Sequence, residues 1–170
     1  MICDERQFVI LYKSIYKDMY RFALCMMRNT HDAEDAVSTA VVKAYENIGS
    51  LAKEEAFKSW IFTILSNTCK RMLKKKAKEK ISDMTQQELS ESGEHATEYD
   101  FHLPIDIEHA FNILSDEEKT IVGLSVFGGY TSNEIGDYLK LNYNTVRSKR
   151  SRALEKMGYI LEPKGEKYGQ

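Results

Sequence analysis

Six polar and basic side chains near the C-terminal end are spaced so that they would share one face of a helix. They are Asn144, Thr145, Arg147, Ser148, Lys149 and Arg152. Arg and Lys can bind phosphates and guanine edges, while Asn and Thr can contact adenine and thymine. Such a face could therefore bind in the major groove of DNA. The alternative is an ordinary basic helix face exposed to solvent, because patterns of this kind also arise by chance.

The residues around this face predict a helix-turn-helix. Thr131 and Glu134 have the S/T-x-x-E spacing of a capping box, which marks the start of a helix. After a turn of three or four residues, Asn142 can cap a second helix. The buried side of that second helix is expected to consist of Val146, Ala153, Leu154 and Met157.

A second candidate surface for nucleic acid lies in the middle of the chain. Asn67, Lys70, Arg71 and Lys74 recur at helical spacing within a run rich in lysine. Single-stranded DNA is held by positive charge along its backbone together with platforms on which its bases stack. This face could therefore bind a separated DNA strand.

Charge is distributed unevenly along the 170 residues, although the net charge is only −2. Two basic blocks flank a segment from Ile81 to Glu118 that contains no Lys or Arg. For DNA binding the local field of each block matters more than the total charge. The weak overall acidity therefore does not argue against a nucleic-acid partner.

The composition, 42% hydrophobic and 29% charged, is that of a soluble globular protein. Asp4 and Glu5 precede only a short apolar run, which indicates no secretory signal, and no run approaches the roughly 20 apolar residues that span a membrane. Cys3, Cys25 and Cys69 are odd in number and far apart, which favours reduced thiols. We therefore expect a cytoplasmic protein without membrane insertion.

The periodicity predicts an all-α fold. Apolar residues recur every three or four positions over residues 1–80, with breaks near Asn29 and Gly49, which predicts three helices. Residues 81–102 are polar, acidic and weakly periodic, as expected of a flexible linker. A second helical domain is expected to begin near Pro104. Its core should include Ile121, Val122, Leu124, Val126 and Phe127.

Residue patterns for catalysis or metal binding are weak. The sequence contains no Gly-rich phosphate loop and no nucleophile elbow, so neither an enzyme, a cofactor nor a small-molecule substrate is expected. His95, His102 and His109 are spaced by seven residues, but no cysteine or paired ligand accompanies them. We therefore expect no metal site.

The order of these parts resembles the bacterial sigma-70 family of RNA polymerase sigma factors, and within it the small extracytoplasmic function (ECF) group. Residues 20–37, from Tyr-Arg-Phe-Ala-Leu to Asp-Ala-Val, resemble conserved region 2. Residues 57–76 are similar to the helix of that region that melts the promoter and reads its −10 element. Residues 110–157, which include Leu-Ser-Asp-Glu-Glu and the helix-turn-helix, resemble region 4.

The resemblance implies two small helical domains, a three-helix bundle and a helix-turn-helix domain, joined by a flexible acidic linker. Region 2 would span residues 1–80 and region 4 residues 104–160, with a linker at 81–103 and a tail at 161–170. The implied activity is to bind the clamp and flap of core RNA polymerase and direct it to −35/−10 promoter DNA. An anti-sigma factor is a further implied partner.

The resemblance also implies roles for individual residues. Asp32, Glu34 and Asp35 would contact the polymerase clamp, although Ser38 and Thr39 stand where the family commonly has Gln and Glu. Without the family match, these three acids would simply be favourable charges at a helix N-terminus.

The loop at residues 49–55 matches the family position that holds a flipped −10 base. Ser50 and Lys53 in this loop would then influence sequence preference, although a surface loop without a ligand is the alternative. Lys140 replaces the usual Gly of the turn in region 4, where left-handed backbone angles are unfavourable for Lys. Arg150 stands where an apolar residue is normal, so its stem should pack at the edge of the core.

A conventional helix-turn-helix transcription regulator is the main alternative. It would need an effector pocket or a dimer interface within residues 1–80. The basic face of the third predicted helix argues against it, because a sensor domain has no use for a second DNA-binding surface. Co-purification with core polymerase would distinguish the two.

Overall fold

The structure, a computed structural model, describes residues 3–82 and 103–162. These residues form seven α-helices and two short 3-10 helices, at Ile48–Ser50 and Glu54–Ala56, and they contain no strand, so the predicted all-α fold class is confirmed. The α-helices are α1 (Glu5–Met27), α2 (Thr30–Glu46), α3 (Phe57–Ser82), α4 (Ile105–Asn112), α5 (Asp116–Val126), α6 (Ser132–Leu139) and α7 (Tyr143–Leu161). Most of the predicted linker and tail lies outside the described residues.

The first three helices form a bundle whose ends are fixed by local hydrogen bonds. The Asp4 carboxylate caps α1 by accepting from the Gln7 backbone N–H at 2.8 Å. α1 ends at Met27, the next residue Arg28 has a positive φ of 62°, and Asn29 then caps α2. The chain therefore reverses within two residues, and α2 packs back against α1.

Helices α4 to α7 form the second half, and the predicted capping box of Thr131 with Glu134 is confirmed. Ser115 with Glu118 makes the same pair of hydrogen bonds at the start of α5. The turn between α6 and α7 has three residues, and it begins at Lys140 with a φ of 56°. The backbone of Lys140 is thus in the left-handed conformation, which is unfavourable for a residue with a side chain.

Two residues predicted to lie in the core are exposed, so those predictions were wrong. Val126 is 61% exposed and Leu154 is 46% exposed. With 3.6 residues per turn, Val126 points about 200° away from the buried Leu124, and Leu154 about 100° away from the buried Ala153. Both line a shallow apolar groove between α4, α5 and α7.

The two halves pack against each other through α1, which contacts α4 and α5. Phe22 is fully buried there, beneath α5. A Cβ placed on Gly123 would lie only 2.8 Å from the Phe22 ring carbons, so the absence of a side chain lets the helices approach. At the edge of this contact, the Arg28 guanidinium donates to the Asn112 side-chain oxygen at 2.9 Å and to its backbone carbonyl at 2.7 Å.

Lys119 is an unusual member of this contact, because its side chain is only 3% exposed. Burial lowers the pKa of the Lys119 ammonium, and the nearby positive Arg28 lowers it further. Both effects oppose the charged form. The packing of the two halves therefore includes an electrostatic cost as well as apolar gain.

We expect Gly123→Ala to weaken the packing of the two halves. Within an isolated helix this change is stabilising by roughly 0.5–1 kcal/mol. Here the added methyl group would overlap the ring of Phe22, and overpacking typically costs about 1–3 kcal/mol. Thermal unfolding should therefore show a lower Tm for Gly123→Ala.

Gly158→Ala is the matched control, because Gly158 lies within α7 and a Cβ there would have no neighbour within 4 Å. This variant should raise the Tm through helix propensity alone. An equal rise in Tm for both variants would contradict the tight approach of α1 and α5.

Candidate nucleic-acid interfaces

The helix α7 carries the first predicted DNA face. The Asn142 side chain caps α7 by accepting from the Asn144 backbone N–H at 2.8 Å. Val146 and Ala153 are fully buried and fix the rotation of the helix about its axis. The opposite side of α7 consequently faces solvent.

All six predicted residues of this face lie on α7, and they differ in accessibility. Asn144, Arg147, Ser148 and Arg152 are exposed, whereas Thr145 and Lys149 are half-buried. The Arg147 guanidinium lies 5.6 Å from the centre of the Tyr143 ring, which holds it near the start of the helix. The two exposed arginines are thus the most available cations of this face.

Carboxylates at the start of α5 engage other cations of α7. Lys149 forms an ion pair with Glu117, and the Lys156 ammonium lies 2.7 Å from the Glu118 carboxylate. The bond from Lys156 lowers the pKa of Glu118, and the backbone bond from Ser115 lowers it further. The positive charge of α7 is therefore partly neutralised within its own half.

The helix α3 carries the second predicted face. Asn67, Arg71 and Lys74 are exposed on it, and Lys70 is half-buried. The Lys70 ammonium lies 4.5 Å from the centre of the Tyr138 ring, so one member of the face contacts α6 of the other half.

A cleft of about 340 Å³ adjoins this face between α2, α3 and the loop that joins them. Of the predicted −10 residues, Ser50, Asn67 and Arg71 line it, and Lys53 does not. Its remaining lining residues are Lys43, Asn47, Trp60, Ile64 and Thr68. The cleft thus combines an aromatic ring, two amides and two cations, groups suited to an unstacked base beside a phosphate.

Sequence reasoning did not identify Lys43, Asn47 or the position of Trp60 at this cleft. In the sequence, Trp60 shares a helical face with the apolar Ile64, a spacing that favours packing in the core over stacking on a base. In the structure it is half-buried against Phe57, with ring centroids 6.0 Å apart, and it also lines the cleft. Helical periodicity cannot reveal such an edge position, because it depends on where α2 ends.

The three acids at the start of α2 are not equally accessible. Asp32 is 8% exposed and forms an ion pair with Lys76 of α3. Glu34 is half-buried and Asp35 is exposed. Asp32 therefore ties α2 to α3, and the carboxylates of Glu34 and Asp35 are the more accessible ones.

The described residues contain no group of three His, Cys, Asp or Glu side chains that could hold a metal ion. His109 is exposed on α4, and His95 and His102 lie outside the described residues. Within residues 3–82 and 103–162, no helix is both long and apolar enough to cross a membrane.

Comparisons with known proteins agree with this geometry. The sigma-70 region 2 family matches residues 11–79, and the sigma-70 region 4 family matches residues 105–157. The chain is 30% identical over 141 residues to the RNA polymerase sigma factor SigV of Bacillus subtilis, an alignment that covers 83% of this chain and 82% of SigV. It is 29% identical over 157 residues to the ECF RNA polymerase sigma factor SigW of the same organism, with coverage of 83% and 82%.

A solved structure shares the fold. The sigma factor RpoE from Bartonella quintana, crystallised with the anti-sigma factor NepR, matches with a TM-score of 0.73. The match covers 95% of this chain and 98% of RpoE at 21% sequence identity. At this identity the likeness concerns the fold alone.

The ion pair between Lys149 and Glu117 leads to a testable expectation. Glu117→Gln removes the carboxylate that neutralises Lys149 and should therefore increase the affinity for duplex DNA. Because one more cation becomes available to a phosphate, the slope of log affinity against log salt should steepen by about one. Anisotropy titrations with a labelled duplex over a range of salt concentrations measure both quantities.

Glu46→Gln is the control, since it changes the net charge equally at an exposed position at the end of α2. An equal gain in affinity for both variants would mean that only the total charge matters.

Proposed function

The chain belongs to the sigma-70 family of RNA polymerase sigma factors, in its ECF group, and from this premise we propose which surfaces carry its activity. As a sigma factor, it binds core RNA polymerase and directs the enzyme to promoter DNA for initiation of transcription. The family match favours this function over a conventional helix-turn-helix regulator.

We assign −35 recognition to α7, and region 4 to residues 104–160. The capped N-terminus of α7 and its exposed Arg147 and Arg152 suit insertion into a major groove, where the first turns of a recognition helix contact base edges. Asn144, Thr145 and Ser148 supply the polar groups for base edges, and Lys149 would serve once released from Glu117.

We assign −10 recognition and strand opening to α3 and the adjoining cleft, within a region 2 at residues 1–80. Arg71 belongs both to the basic face and to the lining of the cleft. A strand held along Asn67, Arg71 and Lys74 could therefore place one unstacked base beside Trp60. Lys53 lies outside the cleft, so its role would be limited to attraction of the DNA backbone.

The observation that carries these assignments is the presence of two separate basic faces on rigid helices, one in each half of the chain. A promoter has two recognition elements, and one face per element is what a sigma factor requires. The acids at the start of α2 would bind the polymerase clamp, with Glu34 and Asp35 as direct contacts and Asp32 as their support. Region 4 would bind the polymerase flap.

We propose that an anti-sigma factor controls this protein, a proposal supported by the likeness in fold to RpoE, which was crystallised with the anti-sigma factor NepR. We also propose that the protein acts in the cytoplasm, where RNA polymerase works. It would have no enzymatic activity of its own, no cofactor and no small-molecule substrate.

Reversal of charge on α7 should abolish −35-dependent transcription while binding to core polymerase is retained. Arg147→Glu and Arg152→Glu each place a carboxylate beside DNA phosphates, so the loss should exceed that of the Ala variants, which lose a contact worth roughly 1–3 kcal/mol. In vitro transcription and co-purification with core enzyme measure the two steps. Arg6→Glu, at an exposed position of α1, controls for net charge. Normal transcription by both α7 variants would refute the assignment.

The α3 face should act in strand opening rather than in binding to polymerase. The triple variant Asn67→Ala, Arg71→Ala, Lys74→Ala should form the polymerase complex but give weaker permanganate reactivity of −10 thymines. The control variant Lys78→Ala, Lys80→Ala also removes two positive charges, but farther along α3, and it should reduce reactivity less. Unchanged thymine reactivity in the triple variant would leave this face as a solvated surface.

A further inference from the structure

Two tyrosines from the second half of the chain contact α3. Tyr130 precedes α6 and Tyr138 lies near its end. The Tyr130 hydroxyl donates to the Ser59 backbone carbonyl and lies 2.6 Å from the Thr63 hydroxyl. Burial raises the pKa of Tyr130 to about 12, so this phenol keeps its proton near neutral pH. These contacts position α6 along the polar side of α3.

Tyr138 contacts the face that was assigned to the −10 strand. Its hydroxyl lies 2.7 Å from the Asn67 side-chain oxygen and 2.9 Å from the Ser66 hydroxyl. Its ring lies beneath the Lys70 ammonium at 4.5 Å, within the range of a cation–π interaction. Two of the four residues of the α3 face are thereby engaged, while Arg71 and Lys74 stay exposed.

We propose that Tyr138 is an internal competitor of single-stranded DNA, which must displace α6 from Asn67 and Lys70 before it can occupy the whole α3 face. This inference rests on the proposed −10 role of α3 and adds a residue that regulates it. The tyrosine supplies an aromatic ring and a hydroxyl to the same side chains that a nucleotide would contact. DNA and α6 therefore cannot bind these groups together.

The contact should weaken the binding of single strands by a factor set by the fraction of molecules that are open. The apparent dissociation constant equals the intrinsic one divided by the open fraction. If about one molecule in ten is open, the affinity for single strands falls about tenfold. The exposed residues of α7 are not covered in this arrangement, so closure acts on strand capture and leaves duplex binding through Arg147 and Arg152 available.

The contact between the halves is suited to opening. The buried ammonium of Lys119 regains water when α5 leaves α1. This gain in hydration offsets part of the free-energy cost of exposing apolar surface. The contacts to α3 are mostly hydrogen bonds, and these exchange for bonds to water at small net cost. A larger partner that holds the two halves apart would therefore shift the population toward the open form.

The test measures binding of a labelled single strand of about 12 mixed-sequence nucleotides to the full chain by anisotropy. Trp60, the single tryptophan, provides a second signal beside the α3 face. Tyr138→Ala removes the competitor, and Gly123→Ala opens the halves at the contact of α5 with α1 and changes no residue of the polar face of α3. Both should raise single-strand affinity about five- to tenfold, with a larger radius of gyration by solution X-ray scattering for Gly123→Ala. Tyr138→Phe keeps the ring and should give a smaller gain.

Matched controls are Tyr159→Ala, an exposed tyrosine of α7, and Gly158→Ala, where a Cβ has open space. Neither should change the affinity, and circular dichroism checks that every variant is helical. Should Tyr138→Ala misfold, Tyr138→Phe and Gly123→Ala still decide the matter.

Arg71→Ala separates the possible failures. If Arg71→Ala loses affinity but neither Tyr138→Phe nor Gly123→Ala gains any, the competition is refuted and the −10 assignment stands. If Arg71→Ala binds single strands normally, the α3 face itself is misassigned and this inference fails with it.

Discussion

The structure depends on the packing of Phe22, which connects the two halves of the chain. On one side its ring meets Phe62 of α3 edge-on, with centroids 5.7 Å apart. On the other side it lies against α5, at the one helical position where a glycine leaves room for it. Phe22 and Phe62 are fully buried, so the bundle core and the contact between the halves form one continuous apolar region. The relative position of α3 and α6, and with it the accessibility of the α3 face, follows from this packing.

Local features of the fold were predictable because they depend on nearby residues. The capping boxes at Ser115 and Thr131, the cap at Asn142 and the strained turn at Lys140 each depend on interactions within a few positions of the chain. The errors arose where an apolar residue type was taken as proof of burial. Val126 and Leu154 sit at angles on their helices that no other element covers. Only the arrangement of neighbouring helices decides such positions.

The sequence predicted which residues of each candidate site share a helix face, but it did not predict which distant residues they contact. The sequence placed Asn67, Lys70, Arg71 and Lys74 on one side of a helix, and the structure has them there. It gave no sign that Lys70 would meet Tyr138, or that Lys149 would pair with Glu117, because those partners are distant along the chain. Family resemblance likewise treated Asp32, Glu34 and Asp35 alike, while the structure separates Asp32 through its ion pair with Lys76. Residue type and spacing do not reveal contacts between residues that are far apart in the sequence.

These pairs also explain how a DNA-binding protein can have a net charge of −2. Part of its negative charge is held beside the basic faces: Asp32 with Lys76 near α3, and Glu117 with Lys149 on α7. Such a carboxylate forms an ion pair with the lysine when no phosphate is present. A DNA phosphate must displace the carboxylate on binding. Exposed arginines then supply most of the initial attraction, and the paired lysines contribute only at close contact. Such an arrangement lowers the affinity for arbitrary DNA. Only a DNA backbone in the correct position can place a phosphate beside each paired lysine and displace its carboxylate. Selectivity for a promoter can thus arise partly from internal competition within each half, in addition to contacts with the bases.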